Sequence, residues 1–401
     1  MTEPVLNQTL DLIEPSRSVT LLARLRQMQA EDPSILNLTG GEPDFPTPKP
    51  ICDEVYRQLL SGCTHYGDPK GDPDLRREIA LKLAAENHAP YRPDNILVTP
   101  GGKYAIYVAI QALLNPGDEV LWLTPGWVSY PAIASLCGGT PVAVHLDWRR
   151  DYRITRTQLE AHTTSRTRLL IINYPNNPTG KLLSKSDQEE LTSFLRAHPD
   201  IYCLSDEIYE KLIYQDEPCV SLASDPELFE RILVVNGFSK CSAMTGWRVG
   251  YDASPAPIAK IIGKIQGQAT HHPSNIAQYA ALGALEMGNA ESLKMREVFR
   301  KRRDFMVSNI GDALGQKLRT PEGAFYLFAP VSSVYGKSTP DGKTIKGSVD
   351  LCEYILESQG LAIVPGAAFG NDNCVRFSYA ASDKNLESAC RRFEAAIRNL
   401  K

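Results

Sequence analysis

The stretch that decides the fold is residues 168–173, RLLIIN, with the turn residues 174–178, YPNNP, directly after it. A near-continuous run of Leu and Ile that ends in Pro and Asn is typical of a strand buried on both faces of a sheet. Similar runs recur between residues 95 and 254, separated by segments with helical periodicity. The other six are 95–99, 119–123, 141–145, 201–205, 232–236 and 247–251. The pattern predicts an α/β fold.

Most of these predicted strands end in loops rich in Gly, Pro, Asn, Asp or Ser. Ligands of open α/β sheets bind at such strand ends. The loops that we expect to surround a ligand are 100–102, 124–126, 174–178, 206–207 and 237–239.

From about residue 291 the composition changes. Residues 291–306 are charged with a helical period, and predicted strands follow at 324–328, 362–365 and 374–379. These features predict a second, smaller α+β domain, and the Gly- and Lys-rich segment 331–349 predicts a hairpin or surface excursion. We expect three parts: an N-terminal arm and helix that join the small domain (1–44), a large domain (45–295) and the small C-terminal domain (296–401).

Composition indicates an ordinary globular protein. With 401 residues, 43% of them hydrophobic and 22% charged, the chain can bury a large core. The formal net charge of −4 gives no electrostatic reason to expect nucleic acid or an anionic membrane as a partner. No apolar stretch reaches the length of a membrane span, and residues 1–15 lack the features of a signal peptide. We therefore expect a cytoplasmic protein that acts on small molecules.

Cysteine and histidine usage predicts reduced thiols and no metal site. The nine cysteines are an odd number and include no C-x-x-C pair. The one close pair of histidines, His271 and His272, is adjacent and would point two ways from an extended chain.

Lys240 lies in the run 236–251, NGFSKCSAMTGWRVGY, which is the most informative segment for function. A lysine amine reacts with a carbonyl carbon only when neutral, so a reactive lysine needs surroundings that lower its pKa. Arg248 could be the neighbouring cation that does so, and its planar fork could hold a phosphate beside the hydroxyl of Ser239. Alone, the run could instead be a strand, a turn and a surface lysine.

Five further blocks accompany this run: 38–45 (LTGGEPDF), 99–103 (TPGGK), 176–180 (NNPTG), 205–209 (SDEIY) and 375–378 (VRFS). In this order the blocks resemble the fold type I, class I aminotransferases that use pyridoxal 5′-phosphate, nearest the bacterial aspartate and aspartate/prephenate branch. The resemblance covers nearly the whole chain. It implies a mostly parallel seven-stranded sheet in the large domain and a homodimer. It also implies ping-pong transamination between an L-amino acid (aspartate, glutamate or an aromatic or prephenate-like partner) and a 2-oxo acid.

The resemblance gives roles to four residues around the cofactor ring. Lys240 is implied to be the lysine that binds the cofactor and moves a substrate proton. Asp206 is implied to pair with the ring nitrogen, and Tyr209 and Asn177 to donate hydrogen bonds to the phenolic oxygen. Without the resemblance, Asp206 could equally be a helix cap or turn residue, Tyr209 a packing residue and Asn177 part of a turn.

A phosphate needs backbone N–H groups at a helix start and a cation. The Gly-Gly-Lys sequence after the first predicted strand suits this need. By resemblance, the phosphate is surrounded by Gly101, Gly102, Lys103, Ser239 and Arg248, with Tyr66 reaching it from the partner subunit. Lys103 could instead face the distal carboxylate of the substrate.

Two more residues are implied to bind cofactor and substrate. Trp127 is a candidate to stack on the ring, with core packing as the alternative. Arg376 lies in a predicted strand, where an unpaired guanidinium would be costly to bury. We expect it to grip the substrate α-carboxylate with help from the backbone N–H of Gly41, and the alternative is an internal salt bridge.

Some departures from the family pattern leave the substrate open. Gly237 stands where many relatives carry Ser, Gly40 replaces a frequent Ala, and 271–273 (HHP) replaces Ser-Asn-Pro. The cations that could recognise a distal carboxylate are Lys103, Arg17, Arg24 and His271. The same fold also hosts lyases and cyclising enzymes. A cofactor-sensing regulator would need a DNA-binding segment, and the first 40 or so residues do not predict a helix-turn-helix.

Overall fold

The computed structural model describes residues 25, 27–215 and 221–401. In this part of the chain the strands are β1 (Leu36–Asn37), β2 (Ile96–Thr99), β3 (Glu119–Thr124), β4 (Thr140–His145), β5 (Thr167–Asn173), β6 (Tyr202–Asp206), β7 (Ile232–Gly237), β8 (Gly250–Ala253), β9 (Tyr326–Pro330), β10 (Leu361–Ala362), β11 (Val364–Pro365) and β12 (Cys374–Ser378).

The helices are α1 (Lys49–Leu60), α2 (Pro73–Glu86), α3 (Gly102–Leu113), α4 (Ser129–Leu136), α5 (Arg156–Glu160), α6 (Lys185–Ala197), α7 (Ala256–Ala269), α8 (Asn275–Glu286), α9 (Ala290–Leu314), α10 (Ser348–Gln359) and α11 (Asp383–Arg398). Residues 27–31 also have helical backbone. Local sequence starts several of these helices. Asp72 caps α2 by accepting hydrogen bonds from two backbone N–H groups, and Pro73 occupies the first helical position.

The predicted α/β fold with a mostly parallel sheet is confirmed. Seven strands lie in the order β2-β8-β7-β6-β5-β3-β4, and only β8 runs antiparallel to its neighbours. The carboxyl ends of the parallel strands share one edge of the sheet, so the loops after β5, β6 and β7 meet there.

The core of the large sheet lies on both of its faces. All residues of β7 are buried, and alternate ones belong to different hydrophobic clusters. Leu233 and Val235 pack with Ile106 of α3, whereas Ile232 and Val234 belong to the cluster on the opposite face. Each such side chain stabilises the fold by about 1.5–3 kcal/mol through burial. Among the described helices, none combines the length and apolarity that crossing a bilayer requires.

The predicted strand 247–251 is wrong at its start. β8 begins at Gly250, and Thr245–Trp247 form a short 3₁₀ turn. The Trp247 indole Nε1–H donates to the Thr47 hydroxyl at 2.9 Å. Arg248 then has a left-handed backbone with φ 57°, which no continuous strand can include.

The C-terminal part of the chain has its own sheet and core. Its three strands are antiparallel in the order β11-β12-β9, and β1 pairs in parallel with β10. The segment 331–349 contains an antiparallel bridge between Ser338 and Thr344, in agreement with the predicted hairpin. The domain boundaries stay a prediction, because α9 runs without a break across positions 295 and 296.

Candidate active site

Three strand ends meet at Gly250. Gly250 pairs with Thr99, the last residue of β2, and with Gly237, the last residue of β7. A Cβ atom on Gly250 would lie 2.7 Å from the backbone nitrogen of Gly102, so only glycine permits this approach. The register therefore brings the loop 100–102 beside the loop that follows β7.

A cation lies against the start of α3. Gly101 has φ +87°, and a Cβ atom there would lie 2.5 Å from Nη2 of Arg248. The Nη1 group of Arg248 donates to the carbonyl oxygen of Thr245 at 2.9 Å. The first two backbone N–H groups of α3, those of Gly102 and Lys103, have no partners within the helix. Together with the buried hydroxyl of Ser239 after β7, this arrangement suits a phosphate.

Lys240 is half-buried in the turn after β7, and its Nζ donates to the carbonyl oxygen of Gly41. Burial is the main cause that lowers the pKa of Lys240 to about 8, and Arg248 and Arg376 lower it further, while two nearby carboxylates oppose this. The predicted effect of Arg248 is therefore present, but loss of water around the amine matters more. Near neutral pH this amine deprotonates far more easily than an ordinary lysine.

Asp206 ends β6 as a buried carboxylate. Its Oδ2 accepts a hydrogen bond from the hydroxyl of Tyr130 at 2.7 Å, and its Oδ1 accepts one from the backbone N–H of Ile208 at 3.2 Å. Burial raises the pKa of Asp206 to about 6, while these two donors and Lys240 act to lower it. The bond to Ile208 is the turn interaction that the alternative predicted, but it uses only one carboxylate oxygen. In the described part of the chain, no cation forms an ion pair with Asp206.

Arg376 is buried in β12, and none of the described carboxylates pairs with it. Its Nη1 donates to Asn177 Oδ1 at 3.0 Å and its Nη2 to the carbonyl oxygen of Thr39 at 2.7 Å, while its Nε–H has no partner. Burial lowers its pKa, and no carboxylate of the described residues opposes that shift. The alternative of an internal salt bridge is therefore wrong for the described part of the chain. A buried guanidinium with a free N–H is suited to bind a carboxylate.

Tyr209 and Asn177 lie close to this arginine. The hydroxyl of Tyr209 is 2.8 Å from the hydroxyl of Tyr326, and both side chains are buried. The backbone N–H of Asn177 donates to Asn173 Oδ1 at 2.9 Å, which fixes the loop after β5. Because Asn177 uses its Oδ1 for the arginine, its Nδ2 group remains available as a donor.

Trp127 is half-buried between a lysine and a tyrosine. The Nζ of Lys103 lies 4.9 Å from the centre of the indole, and the ring of Tyr130 contacts it edge-on at 5.3 Å. Burial and the charge of Arg248 lower the pKa of Lys103. A cavity of about 290 Å³ opens beside Trp127 and Arg376, with a mostly apolar lining that includes Cys352, Ile363, Val364 and Phe369.

Within the described part of one chain, Tyr66 and His271 have no hydrogen bond or aromatic contact with the active-site residues named above. Tyr66 is 87% exposed, and its ring contacts His271 at 5.2 Å and His272 at 5.8 Å. Its predicted role across a subunit interface stays a prediction. Arg17 and Arg24 lie outside the described residues.

Two tyrosines in the site carried no signal in the sequence. Tyr130 lies in α4, outside the blocks that carry the chemistry, and its hydroxyl reaches Asp206 across 76 positions of sequence. Tyr326 lies in an apolar strand without a motif, and only the folded structure brings it to Tyr209.

This set of groups fits pyridoxal 5′-phosphate by its chemistry. Asp206 is a buried carboxylate in need of a cationic donor such as a protonated ring nitrogen. Asn177 and Tyr209 offer neutral donors, Trp127 offers an aromatic face, and the start of α3 with Arg248 suits the phosphate.

Comparisons with known proteins give one consistent result. A family model described as aminotransferase class I and II matches residues 33–393. The aspartate/prephenate aminotransferase of Cereibacter sphaeroides is 40% identical over 391 residues, 97% of this chain and 98% of that protein. The solved aspartate aminotransferase of Rhizobium meliloti has a TM-score of 0.96 at 38% identity, with 99% of this chain and 100% of the other covered. That of Thermus thermophilus with maleate has a TM-score of 0.91 at 37% identity, with 98% and 100% covered.

Proposed function

Since the chain belongs to the class I and II aminotransferases, we propose that its amino donor is a dicarboxylic amino acid, aspartate or glutamate, and its acceptor a 2-oxo acid. Its reaction is pyridoxal 5′-phosphate-dependent transamination. The name of the Cereibacter relative pairs aspartate with prephenate, and the Thermus structure holds maleate, a dicarboxylate. Both support an acidic donor and leave a prephenate-like acceptor as the second substrate.

One observation carries the proposal that the site binds an amino acid and a 2-oxo acid: among the described residues, Arg376 is a buried cation with a free N–H and no anionic partner. A substrate α-carboxylate would accept from this N–H and remove the cost of the unpaired charge. The backbone N–H of Gly41, whose carbonyl oxygen accepts from Lys240, would donate to the same carboxylate. Held in this way, the substrate presents its Cα–H bond to the lysine amine in a fixed orientation.

Pyridoxal phosphate, when bound, supplies an electron sink that stabilises negative charge developing on the substrate Cα. Asp206 would hold its ring nitrogen, Tyr209 and Asn177 its phenolic oxygen, and Trp127 one face of its ring. Its phosphate would lie against the start of α3, at Gly101 and Gly102, with Ser239 and Arg248 around it.

Lys240 would act as the base at the substrate Cα. Its pKa of about 8 leaves an appreciable neutral fraction near pH 7, whereas a lysine in water would be almost entirely protonated. Burial beside Arg376 therefore serves both the binding of substrate and the removal of its proton.

Lys103 would recognise the distal carboxylate of an acidic donor. Its ammonium lies over the indole of Trp127, at the mouth of the site next to Arg248. His271 stays a second candidate for this role. We also propose a homodimer in which the exposed Tyr66 reaches the partner's phosphate site, and a cytoplasmic location.

The purified protein, loaded with pyridoxal phosphate, would test this with a panel of amino donors and 2-oxo acids. We expect aspartate or glutamate to yield one equivalent of its oxo acid, with loss of the visible absorbance of the cofactor. Lys240→Ala is expected to abolish both signals, while the control Lys49→Ala, at an exposed ion pair with Asp53, leaves them unchanged. A cofactor-binding protein that yields no oxo acid with any donor would contradict the proposal.

A further inference from the structure

We propose that Tyr326 is a positioning residue that holds Tyr209 and Arg376 in their working orientations. The proposal rests on the proposed function, because it takes these two residues as cofactor- and substrate-binding groups. The proposal has two halves, one for each part of the Tyr326 side chain. The hydroxyl positions Tyr209, and the ring positions Arg376.

The position of Tyr326 follows from the small sheet. β9 pairs with β12 so that Tyr326 is opposite Ser378 and Phe328 is opposite Arg376. Tyr326 and Arg376 are thus diagonal neighbours on one face of the sheet, a spacing within reach of long side chains. Tyr326 is fully buried.

The ring of Tyr326 supports the guanidinium. The central carbon of Arg376 lies 4.4 Å from the centre of this ring and 4.9 Å from that of Phe369. Because the guanidinium is buried and has no anion in the described chain, these aromatic faces add to the electrostatic compensation that Asn177 Oδ1 and the carbonyl oxygen of Thr39 provide before substrate binds. They also keep its plane in one orientation, which a two-point grip on a carboxylate requires.

The hydroxyl of Tyr326 lies between Tyr209 and the backbone of Gly41. It is 2.8 Å from the hydroxyl of Tyr209, and a Cβ atom on Gly41 would lie 3.3 Å from it. The two tyrosine rings meet nearly edge-on, with centroids 5.8 Å apart. Burial raises the pKa of both phenols, so both hydroxyls keep their protons near neutral pH.

Proton counting assigns the direction of this hydrogen bond. Tyr209 has one proton, and its proposed role uses that proton as a donor to the phenolic oxygen of the cofactor. The 2.8 Å contact then requires Tyr326 to donate to Tyr209. A hydroxyl that accepts a hydrogen bond becomes a stronger donor, so Tyr326 would strengthen the contact of Tyr209 with the cofactor.

Tyr326→Phe tests the hydroxyl alone, because it keeps the ring under Arg376. We expect the pH midpoint of the visible absorbance of bound pyridoxal phosphate to rise by roughly half a unit to one unit. The reason is that a weaker Tyr209 donor stabilises the deprotonated form less. The KM for the amino donor should change by less than about twofold, since the clamp is intact.

Tyr326→Leu removes the ring as well. We expect the same rise in midpoint, together with a KM for the amino donor that increases by about 5- to 30-fold, while kcat falls less. If this variant does not fold, Tyr326→Met, which fills irregular space, gives the same comparison.

Tyr379→Phe is the matched control. Tyr379 is also fully buried, and its hydroxyl contacts Tyr214 and the carbonyl oxygen of Ala324, in the same hydrophobic cluster but outside the site. We expect it to lower the thermal stability of the apoprotein about as much as Tyr326→Phe, with an unchanged midpoint.

A wild-type midpoint in Tyr326→Phe, with a loss of stability like that of Tyr379→Phe, would overturn the hydroxyl half. An unchanged KM for the amino donor in Tyr326→Leu, or in Tyr326→Met, would overturn the half that concerns the ring. The midpoint needs no substrate, so it remains decisive even if no amino donor yields an oxo acid, the result that would contradict the proposed function itself.

Discussion

Two regions of the molecule bury charged side chains in opposite ways. Beside the start of α6, Lys181 and Asp187 form an ion pair at 2.8 Å, with side chains only 5% and 1% exposed. Burial alone would raise the pKa of Asp187, but Lys181, Ser184 and a backbone N–H more than offset it, so its pKa is lowered. In the candidate active site, Asp206 and Arg376 are just as buried, yet neither contacts an opposite charge in the described chain.

The difference separates charges that serve the fold from charges that serve the reaction. A buried pair that is complete within the chain contributes to structure, and loss of one partner leaves the other uncompensated. A buried charge that lacks its partner costs free energy until a ligand supplies it. Asp206 needs a cation and Arg376 needs an anion, which are what a protonated cofactor ring and a substrate carboxylate offer.

The largest expected effect comes from Arg376→Met. We expect kcat/KM for the amino donor to fall by about 30- to 5,000-fold, because truncating a buried charge partner costs about 2–5 kcal/mol. The free energy of unfolding of the apoprotein should be unchanged or higher, since an unpaired buried charge is removed. Steady-state kinetics and urea unfolding check both parts, and a kcat/KM within threefold of wild type would contradict the comparison.

Lys181→Met should have the opposite signature. Removing one partner of the buried pair is expected to destabilise the protein by about 3–5 kcal/mol in urea unfolding. The folded variant should keep the cofactor absorbance and a kcat/KM within about twofold of wild type, because Lys181 contacts Asp187 and the carbonyl oxygen of Tyr152 and no residue of the site. A large loss of activity with little loss of stability would contradict the conclusion that the Lys181–Asp187 pair serves the fold.

The third prediction concerns pH and Asp206. Its pKa is raised from 3.8 to about 6, so between these values the folded apoprotein holds a proton that the unfolded chain has lost. Stability therefore falls as pH rises through this window, by roughly 2–3 kcal/mol from this group alone. In Asp206→Asn we expect the contribution of this group to the decrease in unfolding free energy to disappear. Unfolding free energies of both apoproteins at pH 4 and pH 7 check this, and an identical pH dependence would be the contrary result.

The smallest effect is expected from Tyr130→Phe. The Tyr130 hydroxyl donates to Asp206 at 2.7 Å and helps to lower a pKa that burial raises. Its loss should raise the pKa of Asp206 by about half a unit to one unit. Carboxyl-carbon NMR titration of the apoprotein measures the shift, and Asp206→Asn identifies the signal. A lower pKa in the variant would show that the bond does not stabilise the carboxylate.

Much of this site could be predicted because its residues lie at strand ends with recognisable turn chemistry. Asp206, Asn177 and Lys240 each follow a buried strand, and the parallel register brings those ends together. The strand start at 247 could not be predicted, because Arg248 has a left-handed backbone, which a residue other than glycine seldom adopts.

The residues that position others could not be predicted either. Tyr130 reaches Asp206 across 76 positions of sequence, and Tyr326 reaches Tyr209 across 117. Neither belongs to a block with its own chemistry, so only packing shows the contact.

Identification of the lysine that binds pyridoxal phosphate tests the central claim most directly. The loaded protein is reduced with borohydride, digested and mapped by mass spectrometry. The account predicts that the cofactor mass appears on the peptide that contains Lys240, and that it is absent from Lys240→Ala. Cofactor attached to Lys103 or to another lysine, with Lys240 unmodified, would contradict it.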